Sequence, residues 1–63
     1  MNKQELIQDM RRFTGGSSFI RRYQLAAYMG RKDPHSVDRY LKGLSCVDGM
    51  YFIGDVAERI RGG

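Results

Sequence analysis

Residues 30–43, GRKDPHSVDRYLKG, decide the fold because they hold the end of one predicted helix and the whole of the next. Gly30 closes an apolar, helix-forming stretch, and glycine is the residue that most often follows a helix end in a left-handed conformation. Asp33 is a good N-cap residue, and Pro34 is a good first residue of a helix. The sequence therefore predicts a tight, basic turn followed by a helix over about residues 34 to 42.

The predicted helix 34–42 has an apolar inner face and a polar outer face. Its inward residues recur at i, i+4 and i+7 and are Val37, Leu41 and Leu44. The outer face carries His35, Ser36, Arg39 and Lys42, with Asp38 to one side. A short helix with an exposed polar face, placed after a turn, is typical of the second helix of a helix-turn-helix.

Two further helices are predicted before this segment. Asn2 and Glu5 form a capping box, and apolar residues at helical spacing continue to Phe13, which predicts a helix over about residues 3 to 13. The inward stripe of this helix is Leu6, Ile7, Met10 and Phe13. After the turn-forming stretch GGSS, Phe19–Ile20 either form a brief strand or fill the core. The stretch RRYQLAAYMG then predicts a short second helix with Leu25, Ala26 and Met29 inward.

The period changes from helical to extended after the predicted helix 34–42. Asp48-Gly49 lies between Cys46-Val47 and the stretch MYFI, which is a strong hairpin signal because a type I′ turn needs positive φ at both central residues. Gly54-Asp55 then allows a break and an N-cap before a short last helix, whose inward residues are Val56, Ala57 and Ile60. Gly62 and Gly63 are expected to fray.

Other side chains of the predicted elements are expected to pack rather than to react. We expect Cys46 to be a small buried hydrophobe in its strand. Tyr40 and Tyr51 are expected to pack with a hydrated hydroxyl, and Tyr23 and Tyr28 to lie at the edge of the core.

Length and composition favour a small binding domain. The chain has 63 residues, so it is expected to form one domain with a thin core and little room for an enclosed substrate pocket. Its single cysteine forms no internal disulfide, and no His/Cys cluster predicts a zinc site. We expect no catalytic residues, no metal and no cofactor. No export signal or membrane-spanning run is recognisable, which indicates the cytoplasm.

The positive charge is moderate, and it is concentrated in pairs. The formal net charge is +4 and the pI is about 9.6. The pairs are Arg11-Arg12, Arg21-Arg22 and Arg31-Lys32, and each lies at the edge of an apolar segment. Cations in such positions are well placed to contact phosphates, although for any single pair ordinary solubilising charge is the simpler interpretation.

The order helix, helix, tight turn, helix, hairpin, helix is that of a winged helix-turn-helix. The stretches YQLAAYMG, SVDRYLKGL and VDGMYFIGDVAERI resemble the small DNA-binding proteins of the excisionase and MerR-type winged-helix group. The resemblance covers residues 19 to 61. Its matching positions are Ala26, Gly30, Val37, Arg39, Tyr40, Leu41, Tyr51 and Val56. Two features depart from the group: the spacing from Gly30 to Val37 is one residue longer, and an extra helix with its GGSS connector comes first.

The expected fold is therefore mainly α with a small β-hairpin wing, built from three helices, a two-stranded wing and a short C-terminal helix in one domain over residues 1 to 63. The candidate DNA-binding residues are Arg21, Arg22, Arg31, Lys32, His35, Ser36, Arg39 and Lys42. Arg39 and Lys42 contact base edges or phosphates, or else form a solvated helix face. We expect His35 to contact a phosphate or to be a second helix residue without a role in binding, and Ser36 to donate to a phosphate or merely to satisfy a first-turn amide.

The expected function is non-enzymatic, sequence-selective binding of double-stranded DNA. The protein is expected to act as an excisionase-like accessory factor of recombination or as a small transcriptional regulator. Its expected partners are double-stranded DNA and either a recombinase or copies of itself on DNA, with no membrane and no small-molecule ligand. The alternative is a protein-protein interaction module on a winged-helix scaffold.

Overall fold

The computed structural model describes residues 1–62 and is mainly helical, with 58% of the residues in helices and a small antiparallel sheet. The elements in chain order are α1 Lys3–Phe13, β1 Phe19–Arg21, α2 Arg22–Tyr28, a 3-10 helix Pro34–Val37, α3 Asp38–Leu41, β2 Cys46–Val47, β3 Met50–Phe52 and α4 Ile53–Gly62. The predicted class, mainly α with a small β component, is confirmed. No helix among these residues is long and apolar enough to cross a bilayer.

The sheet has three strands, one more than the predicted two-stranded hairpin. The strand order is β1-β3-β2, and both pairings are antiparallel. Phe19 pairs with Phe52 and Ile20 with Tyr51. The pair Phe19–Ile20 thus both forms a strand and fills the core, since Ile20 is fully buried.

The hairpin turn between β2 and β3 has the predicted backbone. The φ angle of Asp48 is +52° and that of Gly49 is +76°, which matches a type I′ turn. The turn joins Val47 directly to its partner Met50. The Asp-Gly prediction is therefore confirmed, and the turn fixes the register of β2 on β3.

Residues 1–62 contain four α-helices and a 3-10 helix, and the C-terminal helix is longer than predicted. The last helix, α4, is ten residues long and begins at Ile53, before the predicted break at Gly54-Asp55. The backbone N–H of Ile53 donates to the Ser18 carbonyl at 2.8 Å, which ties the start of α4 to the loop before β1. Gly62 belongs to the helix, whereas the predicted fraying of Gly63 lies outside the described residues.

The helix predicted over residues 34 to 42 divides into a 3-10 half and an α half, and it ends at Leu41. Asp33 caps it as predicted, accepting from the His35 N–H at 2.9 Å. The Asp33 carbonyl accepts both the N–H and the hydroxyl of Ser36, at 3.0 and 2.7 Å. These two bonds hold an i→i+3 turn, which explains why the first four residues form a 3-10 helix. We call residues 34–41 the 34–41 segment.

The start of α1 and the end of α2 are capped as the sequence predicts. The capping box at the start of α1 is complete, with Asn2 and Glu5 exchanging hydrogen bonds of 2.8 and 2.9 Å. At the end of α2, Gly30 has φ +72°, and the Arg31 N–H donates to the Ala26 carbonyl at 2.8 Å. This is the Schellman arrangement that satisfies the last carbonyls of a helix.

One hydrophobic core joins all the helices and β1. Its buried residues are Leu6, Met10, Ile20, Leu25, Ala26, Val37, Leu41, Ile53, Val56 and Ala57. Leu44, Met29 and Ile60 pack partly buried against it, as predicted. The ion pair of Lys3 with Glu58, at 2.8 Å, also joins α1 to α4 and lowers the pKa of Glu58.

Three core predictions are wrong. Phe13 is 47% exposed, because it is the last residue of α1 and packs edge-on against only the Tyr28 ring. Tyr23 is 61% exposed on the outer side of α2. Cys46 is exposed, because β2 is a two-residue edge strand with no element beyond it. Tyr28, Tyr40 and Tyr51 pack at the edge of the core as predicted.

Candidate nucleic-acid interface

An ion pair connects the first turn of α2 with the first turn of α3. The Arg22 Nε atom lies 2.9 Å from Asp38 Oδ1, and His35 Nδ1 lies 3.3 Å from Asp38 Oδ2. The Arg22 N–H direction misses Oδ1, which has no hydrogen bond, so the short distance marks a contact between charges. One carboxylate therefore brings together two of the predicted DNA-binding residues, from two different elements.

Arg21 connects the start of α2 with the hairpin tip. Its backbone N–H donates to Gln24 Oε1 at 2.8 Å, which fixes the entry into α2. Its side-chain Nη1 donates to the Asp48 carbonyl at 3.3 Å. Arg21 and Arg22 thus reach the two structures that flank the start of α2, the hairpin turn and the 34–41 segment.

The cations of the turn after α2 are exposed. Arg31 and Lys32 lie between the Gly30 helix end and the Asp33 cap, and within residues 1–62 neither makes an ion pair. The seven residues of α2 separate them from Arg21 and Arg22 by about 10 Å along the helix. The two basic pairs therefore lie at opposite ends of one short helix.

Arg39 and Lys42 lie on the exposed side of the 34–41 segment and just beyond its end. The Arg39 guanidinium carbon lies 5.3 Å from the centre of the Tyr40 ring, within the range of a cation–π contact. Lys42 follows the last residue of α3, and its ammonium has no ion-pair partner in the part of the chain described. Both side chains are accessible to a ligand, as the sequence predicts.

Two other predicted residues differ in how free they are. His35 is exposed, with its ring beside Asp38. Ser36 is half-buried, and its hydroxyl donates to the Asp33 carbonyl, which differs from the role of satisfying a first-turn amide that the sequence suggested as one alternative.

Sequence reasoning missed two residues that organise this surface. Asp38 was placed to one side of the helix, whereas it contacts both Arg22 and His35. Arg59 of α4 donates through Nη1 to the Lys42 carbonyl at 2.6 Å and so holds the end of the 34–41 segment. No local pattern signals either contact, because the partners are 16 and 17 residues apart and meet only in the folded chain.

The third basic pair lies on a different helix, at the end of α1. Arg11 and Arg12 line a shallow groove at the end of α1 together with Gln8, Gly15 and Gly16. Of the three pairs in the sequence, the structure places two at the ends of α2 and one on α1. The candidate interface is thus α2, the basic turn and the 34–41 segment.

The outward face of the sheet is apolar and carries no cation of its own except Arg21. Because Ile20 is buried, its partner Tyr51 shares the inner face, and alternate residues point outward. The outward residues are Phe19, Arg21, Val47, Met50 and Phe52. Phe52 is 45% and Val47 53% exposed, and residues 43–58 contain no Lys or Arg.

Comparisons with protein-family models, with curated proteins and with solved structures give no match for this chain. What this surface can bind follows from its charge and geometry. Exposed guanidinium and ammonium groups on a helix pair can bind an anionic polymer by charge neutralisation.

Proposed function

We propose that the protein binds double-stranded DNA sequence-selectively, without catalysis, as a winged helix-turn-helix. In this assignment α2 and the 34–41 segment form the helix-turn-helix, and the β2–β3 hairpin is the wing. The order of the elements supports it, since the hairpin follows directly after the exposed 34–41 segment. The third strand, β1, anchors the hairpin to the core.

The observation that carries the proposal is the set of exposed cations along α2 and the 34–41 segment. Arg21, Arg31, Lys32 and Lys42 lie at element ends, where a cation is well placed to contact a phosphate, and Arg22 is held beside Asp38. Arg39 lies within the exposed side of the segment, where a guanidinium can donate two hydrogen bonds to a guanine O6 and N7 in the major groove. In this proposal the phosphate contacts supply affinity for any DNA, and the base contact of Arg39 supplies selectivity.

The biological role we propose is that of an excisionase-like accessory factor of recombination or of a small transcriptional regulator. Both roles need DNA binding without chemistry, and both fit a domain of this size. A recombinase or further copies of the chain on neighbouring sites would be the protein partners.

The proposal is tested by selecting from a pool of duplexes with a randomised central region. The wild-type protein should enrich one sequence family, and it should bind a member of that family more tightly than a scrambled duplex of equal length and composition. Failure to enrich any sequence at low salt would contradict the proposal.

A second candidate function is a protein-protein interaction module, and the apolar outer face of the sheet favours it. Exposed Phe52, which packs edge-on against the Phe19 ring, and exposed Val47 are the kind of surface that a protein partner covers. An apolar interface of this kind depends weakly on ionic strength, whereas phosphate contacts depend on it steeply. Salt dependence therefore separates the two functions.

A further inference from the structure

Asp38 is an acidic residue in the middle of a cationic surface, which needs an explanation if that surface binds DNA. A carboxylate there repels phosphates and cancels part of the charge that Arg22 supplies. Its removal should therefore strengthen simple electrostatic binding. The position of Asp38 points to a different contribution.

The Asp38 carboxylate holds side chains from two separate elements at defined distances. Oδ1 lies 2.9 Å from Arg22 Nε on α2, and Oδ2 lies 3.3 Å from His35 Nδ1 in the 3-10 helix. Oδ1 is itself buried although the Asp38 side chain is 45% exposed, so the Arg22 contact lies on the inner side of the carboxylate.

This contact restricts the Arg22 guanidinium without consuming its terminal donors. A guanidinium has five N–H donors, four of them on the terminal Nη1 and Nη2 atoms, and the contact of Nε with Oδ1 is a charge contact rather than a hydrogen bond. With Nε held against Oδ1, the terminal Nη1 and Nη2 groups keep a limited set of directions and can still donate to a phosphate or to a base edge. An unrestrained arginine at the same position would adapt to any nearby phosphate, whatever the DNA sequence.

We propose that Asp38 is a positioning residue, which holds the Arg22 guanidinium in an orientation that fits one DNA geometry. Asp38 thereby lowers the affinity for nonspecific DNA and raises the selectivity of binding. This inference rests on the proposed function. It acts through Arg22, since Asp38 itself carries the wrong charge to bind a phosphate.

The test compares Asp38→Asn with Asp55→Asn, which makes the same charge change in the first turn of α4, beside a cleft that Lys3 and Gln4 of α1 also line. Affinities are measured on the duplex that wild-type protein selects and on a scrambled duplex. Asp38→Asn should bind the scrambled duplex more tightly. It should also lower the ratio of specific to nonspecific affinity roughly tenfold, because one arginine contact to the selected duplex loses its orientation. Asp55→Asn should leave the ratio unchanged.

Two more variants separate positioning from charge and from folding. In an Arg22→Ala background, Asp38→Asn should change the ratio by less than about twofold, because its effect passes through Arg22. Asp38→Glu keeps the charge but alters the reach, so it should also lower the ratio. Thermal melts show whether each variant stays folded, and a ratio measured on folded protein is independent of any loss of stability.

The outcomes are distinguishable. An equal gain in affinity on both duplexes, or the same ratio for Asp38→Asn and Asp55→Asn, would overturn the positioning role and leave the DNA-binding function standing. An unchanged effect of Asp38→Asn without Arg22 would also overturn it. A wild-type protein that prefers no duplex over the scrambled one would remove the proposed function and this inference with it.

Discussion

Gly49 occupies the second central position of the hairpin turn, and its φ of +76° determines what a side chain there would cost. A Cβ at this position would lie 3.4 Å from Arg21 Nη1, the end of a flexible side chain that can move aside. The cost is therefore mainly backbone strain, about 1–2 kcal/mol for an L-residue in the left-handed region. Gly49→Ala should lower the free energy of unfolding by about 1–2 kcal/mol. Gly49→Val should cost at least as much, because a β-branched residue resists this conformation further.

The assay is a thermal melt followed by circular dichroism. A domain of this size loses about 4–8 °C of Tm per kcal/mol, so Gly49→Ala should melt about 5–15 °C below wild type. Gly49→Asn should lose less, since Asn tolerates positive φ. Gly62→Ala is the matched control in the last turn of α4, where alanine should cost nothing. A wild-type midpoint for Gly49→Val would refute the type I′ turn, and an Asn variant as costly as Val would assign the loss to the Arg21 contact instead.

Three further predictions concern individual side chains. Arg39→Ala should weaken binding to the selected duplex by about 1–3 kcal/mol and change binding to scrambled DNA little. Lys42→Ala should weaken binding to both duplexes and make the salt slope shallower by about one unit. If the two variants changed both affinities in the same way, the division between a base contact and a phosphate contact would be contradicted. Burial and the hydrogen bond that Tyr28 donates to Asp9 raise the pKa of Tyr28 from 10.0 to about 12. The neutral phenol therefore contributes to the free energy of unfolding below pH 10, and this contribution is lost between pH 10 and 12. An ultraviolet titration should show a late phenolate step that Tyr28→Phe abolishes, and a step that survives would belong to another residue. Cys46 should react with Ellman's reagent in the native protein, and protection until unfolding would contradict its exposed edge position.

The parts of the fold that could be predicted from sequence are those set by neighbours along the chain. Asp33-Pro34 starts a helix, Asp48-Gly49 makes a hairpin turn, and Gly30 ends α2, because each depends on the backbone preferences of one or two residues. The helical stripes worked for the same reason, except at Phe13, where the helix runs past the edge of the core.

The parts that could not be predicted depend on contacts between distant residues. Strand β1 is only three residues long and exists because β3, about 30 positions later, pairs with it. The 3-10 half of the 34–41 segment arises from the two bonds of Ser36 to one carbonyl, a competition that periodicity does not reveal. Cys46 fits a buried strand by residue type, yet its strand is at the open edge of the sheet.

The residues of the candidate site also fall into those that could be predicted from the sequence and those that could not. Exposed cations such as Arg39 and Lys42 follow from the inward periodicity of their helix, so their accessibility could be predicted. The contacts of Asp38 with Arg22 and of Arg59 with the Lys42 carbonyl join separate elements, and no spacing in the sequence signals them.

The measurement that tests the account most directly is the affinity of wild-type protein for its selected duplex and for a scrambled duplex across a series of salt concentrations. Four phosphate contacts predict that log K falls with log salt at a slope of about −3 to −4. The selected duplex should bind on the order of 10³-fold more tightly than the scrambled one. No preference between the duplexes, together with a slope near zero, would contradict DNA binding and leave the apolar face of the sheet as the functional surface.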